Sequence, residues 1–459
     1  MAVHKFLPNS DEEITRTMLE KLGLRNLDDL FADIPESVRL RRPMNIPDAL
    51  SEIELEKRVS EKLSRNKAAP EFLNFIGGGN WNHHVPSVID EILSRSEFYT
   101  AYTPYQPEIS QGMLQALFEY QSQMCDLTSM DVANSSMYDW SSGLGEAGRM
   151  AQRVTGRTKI VASSAASPER LGVLETYCEP AGISVTRTKF NSAGETDLDF
   201  IYSNLDDSTA AVYIENPNFL GVIERSAEDI ARNCHKHGAL LIVGVNPMSL
   251  GIMRSPGSYG ADIVVGDGQP LGLYPNFGGP LMGIFATRSE PTLLRQMPGR
   301  LIGMTESKIG SERGYTMVLQ TREQHIRREH ATSNICTNES LFALAVSIYL
   351  SIMGPAGMKE IGERIVANSR YALKRLVEEG LSAPHFGGKF FGDVSLKSKP
   401  NSIDLSKSLV SYGILGGLPL GRFYSELKYI SLFSFNEVHS VDDIERLISA
   451  LKSVDSKIA

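Results

Sequence analysis

Apolar and polar positions fall into three regimes along the chain. From Ser10 to about Asn66 apolar residues recur at helical spacing through Ile14, Met18 and Leu22 among many charged positions. That spacing predicts a helical arm whose apolar face needs a surface to cover it. Ser10, Asp11, Glu12 and Glu13 read as a capping box that opens its first helix. From Gly77 to Gly112 there is no period, only glycine, proline and aromatic residues, the composition of loops that line sites. Beyond Met113 short apolar runs alternate with amphipathic stretches. Met113 to Met124, Glu146 to Val154, Pro168 to Ala181 and Ala227 to His237 carry helical spacing, whereas Lys159 to Ser163, Ser184 to Thr188, Ala210 to Glu215, Ala239 to Val243 and Asp262 to Val265 read as strands. Such alternation predicts an α/β fold, a mostly parallel sheet with helices on both faces. Ligands bind at the carboxyl ends of the strands in such sheets, and here Gly, Asn and Ser gather at those ends.

A uniformly apolar helix follows from Leu341 to Met353, then mixed helices and strands, closing with a strand from Tyr429 to Phe435 and a helix from Asp442 to Leu451. The expected division is a helical arm over 1–66, a large α/β domain over 67–340 and a small α+β domain over 341–459. A chain of 459 residues exceeds one ordinary core, which supports more than one domain. With 42% hydrophobic and 22% charged residues the composition is that of a globular protein. A net charge of −9 argues against a nucleic-acid surface, and no Lys/Arg block suggests a membrane patch. The Leu341 to Met353 run falls short of the ~20 residues that span a bilayer. Cys125, Cys178, Cys234 and Cys336 form no CxxC pair, which fits a reducing compartment and excludes a zinc ribbon. The first residues lack the apolar core of a signal peptide, so the expected location is cytoplasmic.

Few motifs carry chemistry by themselves. Gly143-Leu-Gly145-Glu-Ala-Gly148 matches GxGxxG, but a polar stretch stands where the dinucleotide motif requires a strand. Ser141, Ser142 and Gly143 would stand at the amino end of the helix expected from Glu146. Two readings remain there, an anion site on free backbone N–H groups or a plain serine cap. The histidine pairs His83/His84, His235/His237 and His325/His330 do not converge in sequence on a metal site. GxSxG, HExxH and Walker loops are absent. Arg322, Arg327 and Arg328 interleave with Glu323 and Glu329 as interface salt bridges do. The run His330 to Asn338, with Ser333 and Asn334, suits either a loop near a site or the cap of the next helix.

Tyr99 to Gly112, Asp131 to Asp139, Gly266-Asp-Gly-Gln-Pro-Leu-Gly272 and Arg322 to Asn338 resemble the glycine cleavage system P-protein family, in its separately encoded first-subunit form. The resemblance covers nearly the whole chain. It implies a fold-type-I pyridoxal-phosphate (PLP) transferase-like architecture with a smaller C-terminal α+β domain. It also implies an α2β2 heterotetramer in which the second subunit holds PLP, glycine is decarboxylated, and the aminomethyl group passes to the lipoyl H-protein. PLP chemistry needs a lysine amine to hold the aldehyde and a carboxylate beside the pyridine nitrogen. The lysine position falls at about Pro270 and the carboxylate position at Val245 or Asn246. No catalytic residue is therefore expected in this chain. Tyr102, Thr103, Tyr105, Gln106, Glu108, Ser333 and Asn334 are the candidates for the inter-subunit cleft, and Ser141 to Gly143 for a vestigial phosphate site. Two rival readings are a stand-alone PLP enzyme with a displaced lysine such as Lys308, and a non-enzymatic binding or scaffold protein.

Overall fold

The computed structural model describes residues 6–7, 10–67, 71–79, 81–275, 281–306, 308, 310, 312–332, 335 and 337–457. Met1–Lys67 and Ala68–Ala459 form two compact units. Helices Glu12–Leu22 and Glu52–Leu63 dominate the first. Asp11 rather than Ser10 caps the opening helix, its carboxylate accepting from the N–H groups of Glu13 (2.9 Å) and Ile14 (3.2 Å). The Ser10 hydroxyl instead donates back to the Leu7 carbonyl at 2.7 Å. A true capping box opens the other helix, between Ser51 and Glu54. Ile14, Met18 and Leu22, the apolar face expected from the sequence, are exposed.

The second unit is built on a seven-stranded sheet in the order Val132–Ala133, Gly283–Thr287, Ile263–Asp267, Leu240–Val245, Thr209–Glu215, Lys159–Ala162, Ser184–Arg187. The last five are mutually parallel, and Gly283–Thr287 runs antiparallel to both its neighbours. The central strands are buried on both faces, which is why they read as continuous apolar runs. One face packs on the long helix Gln111–Thr128 and the start of Ser340–Glu378. The other packs on Trp140–Thr155 and Pro168–Cys178.

The helix expected from Glu146 begins six residues earlier, at Trp140. Its glycines hid this, since glycine weakens helical propensity. A β-carbon on Gly145 would stand 2.5 Å from Tyr177, and one on Gly148 would stand 2.7 Å from Leu174. The glycines therefore let two helices lie in close contact. The apolar helix expected to end at Met353 continues to Glu378, interrupted only where Gly354 takes φ 56° ahead of Pro355. Its first half lies in the main core and its second half in the core of the Asp393–Lys397, Ile430–Ser434, Leu418–Pro419 antiparallel sheet. This helix begins at Ser340, at the expected boundary, and carries the chain from the main core into the core of the C-terminal sheet. It is long and apolar enough to cross a membrane by composition, but Ala343, Leu344, Val346 and Tyr349 are core residues.

Candidate functional site

At the carboxyl ends of the parallel strands lies a cleft of about 300 Å³, bordered by Gly78, Asp139, Trp140, Arg170 and Asp267. This is where a sheet of this type holds its ligand. Trp140 and Arg170 at its border are tied to two further buried side chains, Tyr213 and Glu215. The Trp140 indole N–H donates to the Tyr213 hydroxyl at 3.1 Å, and that hydroxyl donates to Glu215 Oε1 at 2.8 Å. Arg170 binds the same carboxylate through Nε and Nη2, each at 2.7 Å, and its guanidinium lies 3.8 Å from the Trp140 ring centroid. Burial disfavours the Arg170 charge, but the Glu215 carboxylate more than offsets this and holds its pKa above the usual value. Burial and the Glu215 charge together push the Tyr213 phenol far up, so it stays a donor.

These residues do not fit PLP. Pro270 is buried and carries no amine, and the neighbouring Gln269 carboxamide is engaged by the Trp81 N–H and the Leu273 carbonyl. At the end of Leu240–Val245, Val245 belongs to the opposite core face, and the Asn246 side chain caps the turn by accepting from Met248 N–H at 3.0 Å. Gly244 faces the cluster, and a β-carbon there would stand 2.6 Å from both Trp140 Cζ2 and Tyr213 Oη. The indole and phenol thus fill the space over Gly244 at this end of the strand. Ser141, Ser142 and Gly143 do sit in the first turn of a helix, but Asp139 caps it, accepting from Ser142 N–H at 2.6 Å. A phosphate would meet that carboxylate, with Asp267 nearby. Burial raises the Asp267 pKa to about 7, with the Asp139 charge adding to the effect. Lys308, the displaced-lysine candidate, is exposed in the connection between strands Leu301–Glu306 and Arg313–Val318.

The Tyr-Thr-Pro-Tyr-Gln motif forms a second cluster. Gln111 ties it to the antiparallel Leu301–Glu306/Arg313–Val318 hairpin, donating to the carbonyls of Pro107 (2.6 Å) and Tyr315 (2.9 Å) and accepting from Tyr315 N–H (2.8 Å). Tyr102 is exposed, and its hydroxyl lies 3.0 Å from Thr337 Oγ1. Tyr105 is half-exposed, accepts from Arg300 Nη2 at 3.2 Å and meets the His325 ring edge-on at 5.8 Å. The Thr103 carbonyl accepts from Tyr105 N–H at 2.8 Å, while Gln106 and Glu108 are exposed on either side of Pro107. Asn338 donates to Ser135 Oγ at 3.3 Å, which brings the Asp131 to Asp139 and Arg322 to Asn338 motifs together. Ser333 and Asn334 lie outside the described residues. Sequence reasoning missed Arg300 and the Arg170–Glu215 pair. A glutamate ending an otherwise apolar strand was the available signal for the pair, because such a charge demands a buried partner.

A family model described as "Glycine cleavage system P-protein" matches residues 4–451. The chain belongs to that family. It is 45% identical over 469 residues, with all of both chains covered, to the "Probable glycine dehydrogenase (decarboxylating) subunit 1" of Staphylothermus marinus. It is 43% identical to the protein of that name from Bacillus cereus, over 98% of this chain and 100% of the relative. Among solved structures it matches an inhibitor-bound glycine decarboxylase (P-protein) of the glycine cleavage system, with TM-score 0.87, 38% identity and coverage of 99% and 100%. A sphingosine-1-phosphate lyase from Burkholderia pseudomallei matches at TM-score 0.66 and 12% identity, over 92% of this chain and 95% of the lyase; that likeness concerns the fold alone. The expected fold-type-I PLP-enzyme architecture is thus the one observed.

Proposed function

We propose that this chain is the subunit of glycine decarboxylase that carries no PLP, in the cytoplasm, and that it works only with a lysine-bearing second subunit. In an α2β2 heterotetramer that partner holds PLP, glycine is decarboxylated, and the aminomethyl group passes to the lipoyl arm of the H-protein. The chain's own part is to support the partner and complete its cleft with Tyr102, Thr103, Tyr105, Gln106 and Glu108, together with Ser333 and Asn334. One observation supports the reading: Pro270, buried and without an amine, follows the Ile263–Asp267 strand, and Trp140 and Tyr213 fill the space over Gly244 of the neighbouring strand. The exposed aromatic motif supports the second part, since Tyr102 and Tyr105 are large aromatic residues left exposed.

The test is reconstitution from purified chains. Neither subunit alone should release CO2 from glycine, and the mixture should do so while running as one complex with the combined mass of two copies of each chain. Visible absorbance of bound coenzyme in this chain alone, with CO2 release, would overturn the proposal.

A further inference from the structure

Arg300 is 97% buried by its 3% exposure, yet it has no counter-ion. Every aspartate and glutamate of the chain lies among the described residues, and none of them pairs with it. Its Nε has no hydrogen-bond partner at all, and its one described polar contact is the Tyr105 hydroxyl. The same cluster of loops leaves two more buried polar atoms unmatched, Asn134 Oδ1 and Thr332 Oγ1. Buried charges are ordinarily paired within the fold, so an unpaired guanidinium held in place is a candidate for pairing with something the chain does not contain. The position is also actively maintained. Arg322, itself buried, donates to the carbonyls of Met297, Gly299 and Leu319, bracing the turn that carries Arg300. Ser135 N–H holds the Arg300 carbonyl at 2.9 Å.

The direction of the one contact decides what the pair can do. A guanidinium only donates, so the Tyr105 oxygen accepts from it and keeps its own proton for another acceptor. The guanidinium also lies 5.3 Å from the Tyr105 ring centroid, which fixes the ring while the residue remains 42% exposed. We propose that Arg300 and Tyr105 form an oxyanion anchor: the Arg300 charge orients the phenol, and the phenol O–H donates to an oxygen of the ligand in the partner's cleft. That oxygen belongs to the carboxylate of the amino acid or to the phosphate of the coenzyme. Arg300 is a positioning residue here, and Tyr105 is the group that touches the ligand. The inference rests on the proposed subunit role and adds to it the chemical class that this motif recognises.

The experiment uses the complete two-subunit complex carrying Arg300→Gln, Arg300→Lys, Tyr105→Phe or the Gln/Phe double substitution. Two dissociation constants are read, PLP from titration of the coenzyme-free complex and glycine from its spectral change, together with complex mass and melting temperature. Arg300→Gln and Tyr105→Phe should each weaken the same ligand by about tenfold, the effect of one charge-supported hydrogen bond, and the double substitution should weaken it no further. Arg300→Lys should keep part of the affinity. A shift in the glycine constant identifies the carboxylate, and a shift in the PLP constant identifies the phosphate. Additive losses, or unchanged constants in an intact complex, overturn the anchor. So does loss of assembly alone, because the missing counter-charge would then be a side chain of the partner. If turnover falls while both constants hold, only the anchor fails. If replacing Tyr102, Tyr105 and Glu108 together leaves turnover unchanged, the cleft-completing role fails as well.

Discussion

Removing the Arg170 charge should be among the most damaging single changes in this chain. Glu215 has no exposed side-chain surface and Arg170 only 9%, so neither charge can turn to water when the other is lost. Arg170→Met would leave the Glu215 carboxylate with only the Tyr213 hydroxyl at 2.8 Å and the Ser167 N–H at 3.2 Å. Breaking one partner of a buried pair costs about 3–5 kcal/mol. Glu215→Leu should cost a similar amount by stranding the guanidinium over Trp140. Replacing both with apolar residues should restore most of the loss, since well-packed apolar substitutes for buried pairs are often neutral or better. The assay is denaturant unfolding followed by tryptophan emission, because Trp140 lies directly beneath Arg170 and the chain has only one other tryptophan, Trp81. Single substitutions costing under about 1 kcal/mol, or a double substitution costing the sum of the two, would show that the pair is solvated and the argument wrong.

Gly244→Ala should destabilise the same unit by about 1–3 kcal/mol, the usual penalty for overpacking, because its β-carbon would stand 2.6 Å from Trp140 and Tyr213. An unchanged unfolding midpoint would mean that the indole has somewhere to go. Glu224 and Asp267 make a pH prediction. Burial raises each pKa to about 7, against unfolded values of about 3.9–4.3. The folded state then holds protons that the unfolded state has released, so their contribution is complete below about pH 4 and is lost as pH rises through about 7. Glu224→Gln with Asp267→Asn should flatten that decline relative to the parent chain. Identical pH profiles for the two proteins would refute it.

Much of the architecture was legible because a parallel sheet buried on both faces leaves an unmistakable run of apolar strands, such as Ala210 to Ile214 and Leu241 to Val243. The start of the Trp140 helix was not, because Gly143, Gly145 and Gly148 are there for contact between helices and contradict local propensity. Ser10 misled for a similar reason: Asp11 offers the same helix a carboxylate, and local spacing cannot choose between two good caps. At the candidate site, sequence reasoning reached only an expectation about Pro270. What fills the space there could not be read, because Trp140, Arg170, Tyr213 and Glu215 come from separate elements that only the fold brings together. Arg300 gave no signal for the same reason, since being unpaired is a property of its surroundings and not of its neighbours in sequence.

The indole–guanidinium–carboxylate–phenol set also limits how such a chain could change again. Withdrawing Arg170 or Glu215 alone would strand a charge in the interior, beside rings that leave it no water. The first replacement in the pair passes through a less stable protein before the second can recover the loss. The interior of this unit thus resists piecemeal change, because each side chain of the set is held in place by the others.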